Sequence, residues 1–127
     1  MNDDKNLPEF RFYYFTNRYA ETVSFYRDTL QLIEINSWDR GHCQKGTIFQ
    51  FPGGPGLIEI EEGIESPILQ GGLYIEVVNV DEWYEKAVSK KIKIVTPLFN
   101  TFYGHRSFKF EDPGGLVIGL FKHNVPQ

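Results

Sequence analysis

The sequence predicts an α+β fold made of two βαβββ modules, at about residues 9–61 and 72–123, together forming one domain over residues 1–127. Three observations carry that prediction. A strand, a helix and three further strands can be read in order, and after the aperiodic, turn-rich segment "EGIESPILQGG" the same order restarts. Laying one half on the other sets Tyr13 beside Tyr74 and Glu21 beside Glu82. Finally, four of the strands alternate between a mainly apolar face and a mixed one, the pattern of a sheet covered on one side by helices.

Phe10 to Thr16 ("FRFYYFT") is short and aromatic, as a buried strand is. Tyr19, Val23, Tyr26 and Leu30 recur at helical spacing, which predicts a helix over 18–30 with Asn17 as its cap. Ile33 to Ile35, Thr47 to Phe51 and Leu57 to Glu61 read as strands, separated by the breakers "DRGHCQKG" and "PGGPG". The hairpin around "SWDRGHCQKG" (37–46) is long, and nothing in the sequence assigns it a role. In the second half Leu73 to Val78 is a strand. Asp81 opens a helix with Val80, Tyr84, Ala87 and Val88 on its apolar side. "IKIVTP", "RSFKFE" and "LVIGLF" follow as strands, the last two joined by the Asp112, Pro113, Gly114, Gly115 turn.

Within the strands, Phe10, Phe12 and Tyr14 share one face and Arg11, Tyr13 and Phe15 the other. Ile58 and Ile60 oppose Leu57, Glu59 and Glu61, while Leu73, Ile75 and Val77 oppose Gly72, Tyr74 and Glu76. Leu116, Ile118 and Leu120 oppose Val117, Gly119 and Phe121. The apolar faces suit a core under a helix, and the mixed faces hold the ionisable groups of these strands.

Composition excludes several classes. A chain of 127 residues, 41% hydrophobic and 16% aromatic, has enough apolar mass for a packed core. Its net charge of −4 opposes binding to nucleic acid or anionic lipid, so neither is an expected partner. Cys43 is the sole cysteine, which rules out an intrachain disulfide and a cysteine-rich metal site. "NDDKNLPEF" lacks the apolar run of a signal peptide and no stretch reaches membrane-spanning length, so a cytoplasmic protein is expected. His42, His105 and His123 show no metal-binding spacing and read as solvated, with His105 the one expected to touch a ligand. Cys43 reads as a plain loop cysteine. "GGPG" at 53–56 lacks the lysine and helix of a phosphate loop and reads as a hairpin turn.

"SFYRDTLQL" in the first half and "YGHRSFKFEDPGG" in the second resemble the vicinal oxygen chelate superfamily, over about Phe10 to Lys122. That superfamily includes glyoxalases, extradiol dioxygenases, fosfomycin-resistance enzymes and bleomycin-binding proteins. The resemblance implies curved mixed sheets around a concave cavity, helices on the outer face, and a homodimer. Its metalloenzymes hold a divalent ion with four side chains on the mixed faces, and here those positions fall on Arg11, Glu59, Gly72 and Gly119. Only Glu59 could be a ligand, since arginine is a permanent cation and glycine has no side chain. No metal and no cofactor are therefore expected. Arg11 and Glu59 are expected to pair with each other, and Gly72 and Gly119 to leave open volume for a ligand.

The ligand-binding residues expected from strand face and from the resemblance are Arg11, Tyr13, Trp38, Glu59, Tyr74, Glu76, Tyr103, His105 and Phe121. Trp83, on the second helix, is assigned to packing or to the dimer surface. One reading is a metal-independent binding protein for an aromatic or cationic small molecule. The alternative is a divergent glyoxalase-like lyase or isomerase, or a dioxygenase-like enzyme, with Glu59 as general base and Arg11 holding an anionic carbonyl substrate.

Overall fold

The computed structural model describes residues 9–66 and 70–124. The chain divides into two compact units at residues 67/68, and each carries one four-stranded mixed sheet and one helical segment. In the first unit β1 (Phe10–Thr16), α1 (Tyr19–Ser24), β2 (Ile33–Asp39), β3 (Lys45–Gln50) and β4 (Gly56–Glu62) form a sheet of order β1-β4-β3-β2. In the second, β5 (Gly72–Glu76), α2 (Val80–Ser89), β6 (Lys93–Asn100), β7 (His105–Glu111) and β8 (Val117–His123) give the order β5-β8-β7-β6. The first strand of each unit pairs in parallel with the last and all other pairs are antiparallel. The two topologies coincide, as the repeat predicts.

Face alternation decides what is buried. Tyr14, Phe49, Ile58 and Ile60 pack with Val23 and Tyr26 of the first helical segment, the Tyr26 and Phe49 rings 5.7 Å apart. Phe108, Phe110, Ile118 and Leu120 form the second core with Val80 and Ala87, and Tyr84 meets Phe108 edge-on at 5.1 Å. Phe10 and Val88, expected in the cores, are 65% and 50% exposed because each sits near the end of its element, beyond the covering layer.

The helices differ in detail from the expectation. Residues 19–29 are helical, but after Ser24 the helix widens into a π-helical stretch, Phe25–Thr29, closed by Leu30 N–H to the Phe25 carbonyl at 2.9 Å. Asn17 does not cap it. Thr16 Oγ1 accepts the Arg18 N–H at 3.0 Å, and the Asn17 side chain accepts from the Ser66 hydroxyl instead. Asp81 is likewise not a cap; it lies in the first turn of α2 and binds Arg106 through two hydrogen bonds of 2.8 and 3.0 Å. At the end of α2, Lys91 takes the left-handed conformation usually left to glycine, with φ 58°. Ile92 N–H bonds to Ala87 and Lys91 N–H to Val88, so the carbonyls are satisfied despite the side chain.

The segment 37–46 is mostly strand. β2 runs on to Asp39, pairing Ser37, Trp38 and Asp39 with Thr47, Gly46 and Lys45, and only residues 40–44 turn. Lys45 and Gly46, placed among the breakers from sequence, join β3 because the hairpin ladder holds them. Pro97 sits inside β6, an edge strand with irregular register, where a missing N–H is tolerated. The linking segment 62–72 lies partly outside the described residues.

Candidate functional site

The strand registers line up the mixed face of each sheet in rows. In the first unit one row crosses β1, β4, β3 and β2 as Phe15, Glu61, Gly46, Trp38, and the next as Tyr13, Glu59, Ile48, Asn36. The Trp38 ring lies across Gly46, in the space a side chain there would fill. Tyr13 and Phe15 are exposed and meet edge-on at 6.1 Å. Glu59 is 8% exposed, and its Oε1 accepts from Arg11 Nη1 at 2.7 Å, the pairing expected from the sequence. Arg11 also binds Glu9 at 2.6 Å.

Glu61, on the same face two residues on, lies outside the expected ligand-binding set. Burial alone would push the Glu59 carboxyl up, but hydrogen bonds from Glu61 and Arg11 outweigh it and hold Glu59 below its usual range. The hydrogen bond to Glu59, then burial and the Glu59 charge, push Glu61 up to about 7. The Glu59 carboxylate beside it thus favours the protonated form of Glu61 over a wider pH range than an isolated carboxyl would show. A strand spacing of two, with both acids on one face, is the signal that could have found the pair.

The sign of the stability effect follows. Folded Glu61 binds its proton more tightly than the unfolded residue, whose value is near 4.5, so this group's stabilisation is full at low pH and is lost as pH rises towards 7. The neutral variant Glu61→Gln should therefore match the wild type near pH 5 and melt above it at pH 8. Thermal melts across that range check this; a difference that does not change with pH contradicts the raised proton affinity of Glu61.

In the second unit the rows read Tyr74, Gly119, Lys109, Thr96 and Glu76, Phe121, Ser107, Phe99. Tyr74 meets Phe121 edge-on at 6.1 Å, and His105 stacks on Phe121 at 4.5 Å with an interplanar angle of 22°. Tyr103 and His123 each lie 5.0 Å from the His105 ring. Tyr74, Tyr103, His105 and Phe121 are thus brought together as an aromatic cluster, while Glu76 stands beside Phe121 on the edge strand. His105 and His123 are strand residues, the first of β7 and the last of β8, rather than loop and tail residues. They pair across the ladder, which carries His123 into the cluster. Lys109, also not singled out from sequence, holds its ammonium 5.3 Å from the centre of the Tyr74 ring.

The two glycines are not open. A Cβ on Gly119 would fall 2.6 Å from the Tyr74 ring, which lies over the glycine as Trp38 lies over Gly46. A Cβ on Gly72 would collide with the backbone carbonyl of Val117. The expected free volume is thus filled, at Gly119 by an aromatic ring and at Gly72 by main chain. The four positions do not fit a divalent ion. The Arg11 guanidinium holds Glu59, the remaining two positions offer no donor, and glycine is retained there for packing reasons visible in the structure. Among the described residues no three His, Cys, Asp or Glu side chains gather as a metal site.

A groove of about 490 Å³ runs between the first helical segment and strands β2 and β3, lined by Tyr19, Val23, Arg27, Glu34, Trp38 and Lys45 among others. Of the expected ligand residues only Trp38 reaches it. Cys43 Sγ lies 3.4 Å from His42 Nε2 on the exposed turn after β2. No described helix is long and apolar enough to cross a membrane.

Comparison with known proteins places this geometry. The family model "Glyoxalase/Bleomycin resistance protein/Dioxygenase superfamily" matches residues 10–120. Among solved structures, TnmS3, an antibiotic binding protein from Streptomyces sp. CB03234, is similar with a TM-score of 0.77 and 19% identity, over 93% of this chain and 97% of that one. TioX from Micromonospora sp. ML1 is similar with a TM-score of 0.74 and 15% identity, over 92% and 99%. Lactoylglutathione lyase from Agrobacterium tumefaciens gives 0.71 and 18%, over 91% and 92%. A search of curated proteins finds no significant match.

Proposed function

The chain belongs to the glyoxalase/bleomycin resistance protein/dioxygenase superfamily, and on that premise we propose that it is a metal-independent binding protein for a flat aromatic small molecule. The observation that carries this reading is the joined aromatic cluster of Tyr74, Phe121, His105 and Tyr103 on a sheet face separate from the packed core. Buried aromatics in a core need no ligand, whereas Tyr74 and Tyr103 remain more than half exposed and present ring faces for stacking. The similarity to an antibiotic binding protein supports the same reading. The expected ligand-binding set divides between the units: Arg11, Tyr13, Trp38 and Glu59 on the first sheet, and Tyr74, Glu76, His105 and Phe121 on the second, with Tyr103 in the turn before β7.

The protein works in this reading as one cytoplasmic domain that forms a homodimer. β1 and β5 each end a sheet with an unpaired edge, next to exposed Tyr13, Phe15 and Tyr74, and symmetric pairing would cover both features. Sedimentation equilibrium at micromolar concentration should return twice the chain mass; a monomer removes this part.

One observation favours a second reading, a glyoxalase-like lyase or isomerase. Glu59 and Glu61 are neighbouring carboxyl groups whose proton affinities are driven apart, the condition for one to act as base and the other as acid. Thermal-shift screening of chelator-treated protein against flat aromatics and against small 2-oxoaldehyde adducts separates the two. Stabilisation by aromatics without turnover supports the binding protein, and consumption of an adduct supports the enzyme.

A further inference from the structure

The mixed face of the second sheet has a charge as well as a shape. Lys109 stands in the middle of β7, one register step from Gly119, and its stem runs 3.5 Å from the position a Gly119 Cβ would take. Because Gly119 has no side chain, the Tyr74 ring lies over it and comes against Lys109, whose ammonium is 5.3 Å from the ring centre. Among the described residues Lys109 has no carboxylate within ion-pair distance, whereas Lys93 is matched by Glu111 at 3.3 Å and Arg106 by Asp81 at 2.8 Å; Lys122, also without an ion pair, alternates with Phe121 onto the face of Ile118 and Leu120, away from the cluster. A cation left unmatched beside an aromatic cluster is a ready partner for an anion on a stacked ring. The imidazoles of His105 and His123 add further N–H donors at the same cluster.

The acids on the mixed faces do not offset this. Glu59 is held by Arg11 and Glu111 by Lys93, while the Glu61 carboxyl is pushed towards its protonated form. Glu76 alone is unmatched among them in the described residues, and it lies on the exposed edge strand, one row away from Tyr74 and Lys109.

Resting on the aromatic-binding reading, the geometry points to Lys109 as the specificity-determining residue of this face, selecting a flat aromatic ligand that carries an acidic oxygen, a carboxylate or a phenolate. The ring stacks against Tyr74 and Phe121, and the anionic oxygen meets the Lys109 ammonium. Gly119 serves the same end, since any larger residue would push Tyr74 off the lysine.

Three fluorescent probes of one shape test this: anthracene-2-carboxylate, anthracene-2-carboxamide and 2-(aminomethyl)anthracene, titrated into the intact protein at low salt. The carboxylate should bind about tenfold more tightly than the carboxamide, and the ammonium probe most weakly. Lys109→Met should remove the carboxylate advantage, so that carboxylate and carboxamide bind alike, whereas Glu76→Gln should strengthen carboxylate binding about twofold to threefold. Raising the salt should narrow the wild-type preference. Equal affinity for carboxylate and carboxamide, tightest binding of the ammonium probe, or a preference that survives Lys109→Met overturns the assignment and leaves the aromatic-binding reading standing. Failure of all three probes overturns both.

Discussion

Replacing Gly72 by alanine should lower stability by about 3 kcal/mol, while the same change at Gly119 should cost about 1 kcal/mol or less. Both glycines lie on mixed faces at parallel-paired register positions, and sequence alone makes them look alike. The difference lies in what an added methyl would meet. At Gly72 it is the carbonyl of Val117, which is fixed in the β5–β8 ladder, so the backbone itself must shift. At Gly119 it is the ring of Tyr74, which is 59% exposed and can rotate away. Urea unfolding of the two variants measures this. Equal losses would mean that Tyr74 is as immobile as main chain, and no loss at Gly72 would contradict the close approach.

Phe121→Ala should weaken binding of an aromatic probe by about 2 kcal/mol, about thirtyfold, with little change in fold. Phe121 is the residue on which the cluster turns, since Tyr74 meets its edge while His105 stacks on its face and His123 meets it edge-on at 5.7 Å. Removing it separates the rings that it joins. Phe108→Ala is the control. That ring is fully buried on the helix side, so its loss should cost about 3–5 kcal/mol of stability. Fluorescence titration with anthracene-2-carboxamide, run beside thermal melts, separates the two effects. Unchanged affinity in Phe121→Ala would remove the cluster from the site.

Periodicity carried most of the fold into view. Strand alternation at Phe12, Tyr14, Ile58, Ile60, Ile118 and Leu120 marks the buried faces, and the repeated element order yields two sheets of one topology. What the pattern could not reveal depends on pairing across strands. Trp38 and Lys45 belong to strands because the hairpin ladder extends past residues that look like breakers, and His123 enters the aromatic cluster because it faces His105 across the ladder. The helix caps were missed for a related reason. The groups that satisfy Thr16, Asn17 and Asp81 are Ser66 and Arg106, which are distant in sequence and leave no local signature.

The Arg11–Glu59 pair was legible because both charges fall on one face of neighbouring strands, where each is the nearest partner for the other. The Glu61 proton and the Lys109 charge were not. Each depends on which partner a charged group lacks, and that is fixed only when every neighbour has been placed.

The measurement that bears most directly on the central claim is equilibrium dialysis of chelator-treated protein against anthracene-2-carboxamide, with and without added divalent metal. Saturable binding that is the same in both conditions and is lost in Phe121→Ala is the predicted result. Binding that appears only when metal is restored, or no binding in either condition, would contradict a metal-independent aromatic site.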